Sequence, residues 1–124
     1  MDYKKIDPAL ELMKEFSKVT NGMPALIDQM RQKAIFSEGK VPKKFKILTA
    51  MIWAISARCE PCFKYYVQQA IKAEATEAEL GEFLAIASTM GGCVGEMWAL
   101  KAYSAFKRND ETPDSGAQDE HCCS

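Results

Sequence analysis

Two cysteines stand two residues apart in the run Arg58-Cys59-Glu60-Pro61-Cys62-Phe63-Lys64-Tyr65-Tyr66. Thiols at this spacing can close a disulfide and reopen it, so the pair can cycle between dithiol and disulfide. The attacking species in such a cycle is the thiolate. Pro61 lacks an N–H and has φ pre-set, which suits the first turn of a helix. Cys62 is therefore expected in an opening turn, with Cys59 at its mouth. Free N–H groups and the positive end of the helix dipole favour a thiolate there. Arg58 and Lys64 push the same way, and Glu60 opposes them.

Other readings of the cysteines compete with this one. Structural zinc wants four ligands, and the pair supplies two. The remainder would come from Cys93, His121, Cys122 or Cys123. Buried cysteine also serves as a small hydrophobe, which is the expectation for Cys93, with a third redox thiol as its alternative. His121-Cys122-Cys123 is a soft-ligand cluster on an acidic tether, suited to transient capture of a metal or metalloid or to relaying electrons to the pair. It also reads as an end segment with no assigned task. A redox pair is the favoured reading, with an oligomeric thiol-based metal or metalloid module as the alternative. No cofactor and no resident metal is expected. The chain has no phosphate-binding glycine loop and no Ser-His-Asp set, and its only histidine is His121.

The elements that must hold the pair are read from periodicity. At 124 residues, with 48% hydrophobic and 27% charged residues, one soluble domain is expected. No apolar run follows Met1-Asp2-Tyr3-Lys4-Lys5, so no signal peptide is visible and a cytosolic chain is the expectation. The stretch from Ile47 to Ala57 is too short to span a bilayer. All 16 Lys and Arg lie in residues 1–108, whereas five of the 17 acids lie beyond, leaving a body of +4 and a tail of −5. Lys40, Lys43, Lys44 and Lys46 read as a solvated loop and helix start, so no nucleic acid is expected.

Asp7-Pro8 opens a first helix carrying Ile6, Ala9, Leu10, Met13 and Phe16, and Asn21-Gly22 ends it. The spacing predicts a second helix over 24–36, with Leu26, Ile27, Met30 and Ala34 facing inward. From Lys43 to Ala57 the pattern is apolar on nearly every side, which predicts a helix buried all round, in part against a second subunit. The cysteine helix follows from about Glu60 to Ala73. Thr76-Glu77-Ala78-Glu79 has the capping-box pattern, with Leu80, Phe83, Leu84 and Ala87 behind it. Gly91-Gly92 stops that helix, and a last one runs from about Val94 to Lys107 with Trp98, Ala102, Ala105 and Phe106. The absence of sustained alternation makes the fold all-α, a compact single-domain bundle of about six helices over 1–108. Residues 109–124 read as a disordered acidic tail carrying the Cys122-Cys123 pair.

The run from Lys46 through Cys59-Glu60-Pro61-Cys62 to Ala70, with Ala75-Thr76-Glu77-Ala78-Glu79-Leu80 and Met90-Gly91-Gly92, resembles the carboxymuconolactone decarboxylase family, most closely its alkylhydroperoxidase D-like branch. The likeness covers about residues 40–106. It implies an all-α domain that assembles into homotrimers or homohexamers. It also implies a cysteine pair that reduces peroxides and is re-reduced by a partner dithiol protein. The residue corresponding to Cys62 attacks the peroxide and becomes a sulfenic acid; that corresponding to Cys59 resolves it. Two positions depart from the family. Its histidine four residues after the second cysteine is Tyr66 here, and its glutamate twelve residues before the first cysteine is Ile47. Tyrosine titrates near 10 and is a poor base at neutral pH, though it can donate a hydrogen bond to a thiolate; it also reads as a packing aromatic. The catalytic set expected from the sequence is therefore Cys62, Cys59 and Tyr66, acting on a small peroxide or disulfide. The namesake's lactone decarboxylation ranks last, because it needs no cysteine pair and Ile47 offers no acid-base group.

Overall fold

The computed structural model describes residues 6–108, and every regular element among them is a helix. A short 3-10 turn, Pro8–Leu12, is capped by the Asp7 carboxylate, which accepts from the Ala9 amide at 2.8 Å. It leads into α1 (Met13–Val19), and α2 follows over Met23–Ala34. The pair Asn21 and Gly22, with φ of 58° and 83°, makes the turn between them. The tail, with His121-Cys122-Cys123, lies outside the described residues.

The core belongs to α3 (Lys43–Ser56), α4 (Glu60–Lys72) and α5 (Glu77–Lys107). From α3 it takes Ile47, Leu48, Met51, Ala54 and Ile55; from α4, Phe63, Val67 and Ala70 at helical spacing. From α5 come Leu80, Leu84, Ala87, Ala99 and Ala102. Phe63 meets Trp98 edge-on at 6.0 Å, and Phe45 stacks on Phe83 at 6.2 Å. Each fully buried side chain of this size contributes about 1.5–3 kcal/mol of transfer free energy.

A straight helix of 31 residues would hold Glu77 and Tyr103 about 39 Å apart. Instead the Tyr103 hydroxyl donates to the Glu77 carboxylate at 2.6 Å, and Lys107 pairs with the same carboxylate at 3.5 Å. The chain reverses at Gly92, whose φ of 61° and ψ of −146° lie in a region open essentially to glycine alone. The two arms then run back to back, and a Cβ on Gly95 would lie 2.5 Å from the Ala87 carbonyl oxygen. The stop expected at Gly91-Gly92 is thus a hairpin turn. Each arm, of about 15 residues, is about 22 Å long, short of the roughly 30 Å needed to span a bilayer. The capping box forms as expected: the Glu79 amide donates to the Thr76 hydroxyl and the Thr76 amide to the Glu79 carboxylate, both at 3.0 Å. Glu79 also pairs with Lys44 of α3 at 2.9 Å, fastening the start of α5 to the start of α3.

One expectation about burial is corrected. Leu26, Ile27, Met30 and Ala34 do form one face of α2, but that face is exposed. Neither α1 nor α2 packs on the α3–α5 bundle; they contact only each other and the preceding turn. Within one copy, Thr49 and Trp53 of helix α3 face outward, Trp53 at 72% exposure. An apolar stripe fixes which side of a helix avoids water, and leaves open what covers it.

Candidate active site

The end of α3 and the start of α4 are one structure. The Cys59 amide donates to the Ala54 carbonyl and the Arg58 amide to the Ile55 carbonyl, both at 3.0 Å. This is the Schellman pattern that closes a helix, with Arg58 at φ 57° where glycine is usual. Cys59 is at the same time the N-cap of α4, in extended conformation. Pro61 and Cys62 follow in the first turn. The spacing therefore yields the geometry expected of it.

Cys59 and Cys62 are joined in a disulfide, with their Cα atoms 5.2 Å apart. Both are half-buried, so the pair is neither sealed in the core nor fully in water. Cys62 packs against the edge of the core. Of the first-turn amides of α4, Pro61 has none, and those of Glu60 and Cys62 lie outside the helix's own ladder. Such free amides at a helix start, with the helix dipole, favour a thiolate in the first turn. Glu60 and Lys64 pair with each other at 3.0 Å, so their charges cancel locally. Arg58, exposed beside Cys59, is the cation left to act with the helix dipole.

Tyr66 lies one turn beyond Cys62 on the same side of α4. Its ring stacks on Phe36 at 6.2 Å with 17° between planes, and Tyr65 meets both rings edge-on at 5.1–6.2 Å. Among the described residues no hydroxyl partner of Tyr66 appears. Phe36, which follows α2, was not marked by the sequence pattern: it reads there as the last residue of an amphipathic helix. Ile47, at the family's glutamate position, is 1% exposed and belongs to the core. Neither departure from the family brings an acid-base group of neutral pKa beside Cys62.

Cys93 corrects another expectation. It is exposed at the α5 turn instead of lying in the core. It follows directly on Gly92, where the chain reverses. Among the described residues, no three His, Cys, Asp or Glu side chains converge to hold a metal.

The sequence profile of the carboxymuconolactone decarboxylase family matches residues 22–105. The chain belongs to that family. An uncharacterized protein of Cupriavidus necator is 33% identical over 98 residues, covering 77% of this chain and 87% of its own. The crystal structure of an apo carboxymuconolactone decarboxylase family protein from Legionella pneumophila superposes with a TM-score of 0.78 at 29% identity. That match covers 88% of this chain and 97% of the other. The all-α fold is thus the family's fold. A Cys-x-x-Cys pair at the mouth of α4 is consistent with its alkylhydroperoxidase D-like branch.

Proposed function

We propose that this protein is a thiol-dependent oxidoreductase that cycles Cys59 and Cys62 between dithiol and disulfide, in the cytosol and as a homo-oligomer. Cys62, in the first turn of α4 with a free amide and the helix dipole, is the nucleophile. Cys59 is the resolver. The observation that carries the reading is the half-buried disulfide spanning the N-cap and third residue of α4.

Two substrate classes fit a dithiol. With a disulfide, the Cys62 thiolate attacks one sulfur, forms a mixed disulfide and releases the other half as thiolate. Cys59 then attacks Cys62, releases the second thiolate and closes the Cys59–Cys62 disulfide. With a peroxide, the Cys62 thiolate takes the outer oxygen as sulfenic acid and releases an alkoxide or hydroxide that must be protonated. The Cys59 thiol then condenses with the sulfenic acid to give the disulfide and water. In both cases a partner dithiol protein supplies the two electrons that reopen the pair.

The leaving groups separate these reactions. A thiolate departs with a pKa near 8.5 and needs no acid. Hydroxide and alkoxide are far stronger bases than a thiolate, so peroxide cleavage gains from a proton donor beside the site. The family's histidine and glutamate positions hold Tyr66 and Ile47. Tyr66 can donate a hydrogen bond, but a phenol is a weaker proton relay than the imidazole and carboxylate it and Ile47 stand in for. Disulfide exchange is therefore the main activity and peroxide reduction the slower one. Replacing Cys62 with serine tests the assignment: turnover of both substrates is lost, and full turnover by Cys62→Ser rejects it.

A further inference from the structure

The disulfide of Cys59 and Cys62 has an aromatic wall beside it. Tyr65 and Tyr66 follow Cys62 by three and four residues on α4, which puts their Cβ atoms about 5–6 Å from that of Cys62. Helical side chains lean back toward the N-terminus, so a ring at either position covers the turn that carries Cys62. Phe36 joins them from outside α4. Its ring is nearly parallel to that of Tyr66, at 6.2 Å and 17°, and edge-on to that of Tyr65, at 6.2 Å and 86°. Atoms in direct contact lie about 3.5–4.0 Å apart, so Phe36 and Tyr66 leave part of their ring faces uncovered by one another. All three rings are half-buried, as both cysteines are. Glu60 and Lys64, paired at 3.0 Å, each stand two residues from Cys62, a spacing that does not bring side chains together on a helix. What adjoins Cys62 one turn along α4 is therefore ring surface.

We propose that Phe36, Tyr65 and Tyr66 line the substrate subsite of the cysteine pair and select disulfides that carry a flat aromatic group next to the sulfur. This rests on the thiol-exchange reading above and names its substrate class. A substrate ring gains offset or edge-on contact with these rings while its sulfur comes to Cys62. The Cys62 thiolate attacks that sulfur, the substrate S–S bond breaks and one aryl thiolate leaves. The Cys59 thiolate then attacks the Cys62 sulfur, the mixed disulfide breaks and the second aryl thiolate leaves. The pair gives up two electrons, the substrate takes them as two thiolates, and the two cysteine protons pass to solvent or to the released groups. A role in packing alone asks only for apolar bulk at these positions, which leucine also supplies.

The experiment is a single turnover of the full chain, reduced, freed of reductant and mixed with excess dithiodipyridine, a neutral aromatic disulfide, or with bis(hydroxyethyl) disulfide. Closure of the Cys59–Cys62 bond is timed by acid quench and peptide mass, which sets apart reactions at the other thiols. Each rate is divided by that of dithiothreitol with the same compound, which removes the intrinsic difference between leaving groups. The wild type is expected to favour the aromatic compound by about three- to tenfold beyond the free dithiol, the size of an aromatic contact. Phe36→Leu and Tyr66→Leu should each lose most of this preference, through the concentration needed for half-saturation and not the limiting rate. Tyr66→Phe, which keeps the ring, and Phe16→Leu, which removes a ring of α1 outside the cluster, should retain it. The wild-type comparison stands even where a leucine variant fails to fold. Closure of the pair with no preference beyond that of the free dithiol, or with a preference unchanged in folded Phe36→Leu and Tyr66→Leu, overturns the subsite and leaves thiol exchange standing. Failure of either compound to close the pair in the wild type counts against the exchange reading itself.

Discussion

The Cys59 amide donates to the Ala54 carbonyl at 3.0 Å, so the residue that opens α4 also closes α3. Because Ala54 sits in the core, the cysteine pair is held by the most buried helix of the chain. The same closure recurs after α4, where the Ala75 amide donates to the Ala70 carbonyl at 3.0 Å and Glu74 takes φ 69°.

Arg58 and Glu74 therefore make a matched pair for substitution. Each is a non-glycine residue in left-handed conformation, which costs about 1 kcal/mol relative to glycine. Arg58→Gly and Glu74→Gly should each stabilise the fold by about 0.5–1 kcal/mol in urea unfolding. Only Arg58→Gly removes the cation beside Cys59. Reduced Arg58→Gly should therefore show a raised thiol pKa in alkylation-rate profiles, and Glu74→Gly should not.

Gly95 and Gly81 of α5 should respond in opposite directions to alanine. At Gly95 the new Cβ would meet the Ala87 carbonyl oxygen at 2.5 Å. The arms must move apart, so Gly95→Ala should lose about 1–3 kcal/mol. At exposed Gly81 nothing lies within 4 Å, and alanine there should add up to about 1 kcal/mol through helix propensity. Thermal unfolding of the two variants checks both signs.

The ionic ties of α5 give a pH dependence with a definite sign. The Tyr103 hydroxyl, with Lys107, holds the Glu77 carboxyl below its ordinary 4.5. The Thr76 amide, with Lys44, does the same for Glu79. A carboxyl whose pKa is lower folded than unfolded stabilises the fold above its unfolded pKa, and that contribution disappears as pH falls through the folded one. The melting temperature should therefore fall as pH drops below about 4.5. At the other extreme, hydrogen bonding to Glu77 raises the Tyr103 pKa. Its contribution is present below pH 10 and is lost as pH rises through the higher folded value. Tyr103→Phe should flatten both limbs.

These relations show what was legible beforehand. The cysteine pair, Pro61 in the first turn, the Thr76–Glu79 capping box and the break at Gly91-Gly92 act through neighbouring residues, so local spacing reveals them. The sites where Arg58 and Glu74 adopt left-handed backbone carry no glycine and could not be picked out. The pairing of Glu60 with Lys64 is local, yet its cancelling effect on the thiols emerges only beside the isolated Arg58. Phe36 comes to Tyr66 from outside α4, and no periodicity reports a contact between separate elements. The stripe of α2 is an apolar face as its spacing predicts, but it is exposed in place of facing inward, since amphipathicity alone does not say what covers a face.

The contrast between substrates is the next expectation. With a dithiol reductant in excess, the wild type should turn over a small aromatic or alkyl disulfide at least about tenfold faster than hydrogen peroxide, about 1.4 kcal/mol of barrier. Tyr66→His should raise the peroxide rate and leave the disulfide rate within about twofold, since only the former lacks a proton relay. Equal rates in the wild type would remove the argument from the leaving groups.

The most direct measurement is the redox equilibrium of Cys59 and Cys62 against a dithiol buffer, read by counting free thiols in the wild type and in Cys62→Ser. The account requires that two thiols per chain appear and disappear reversibly in the wild type, and that this two-thiol transition vanish in Cys62→Ser. A pair that stays oxidised at any accessible potential, or the same reversible transition in Cys62→Ser, would contradict it.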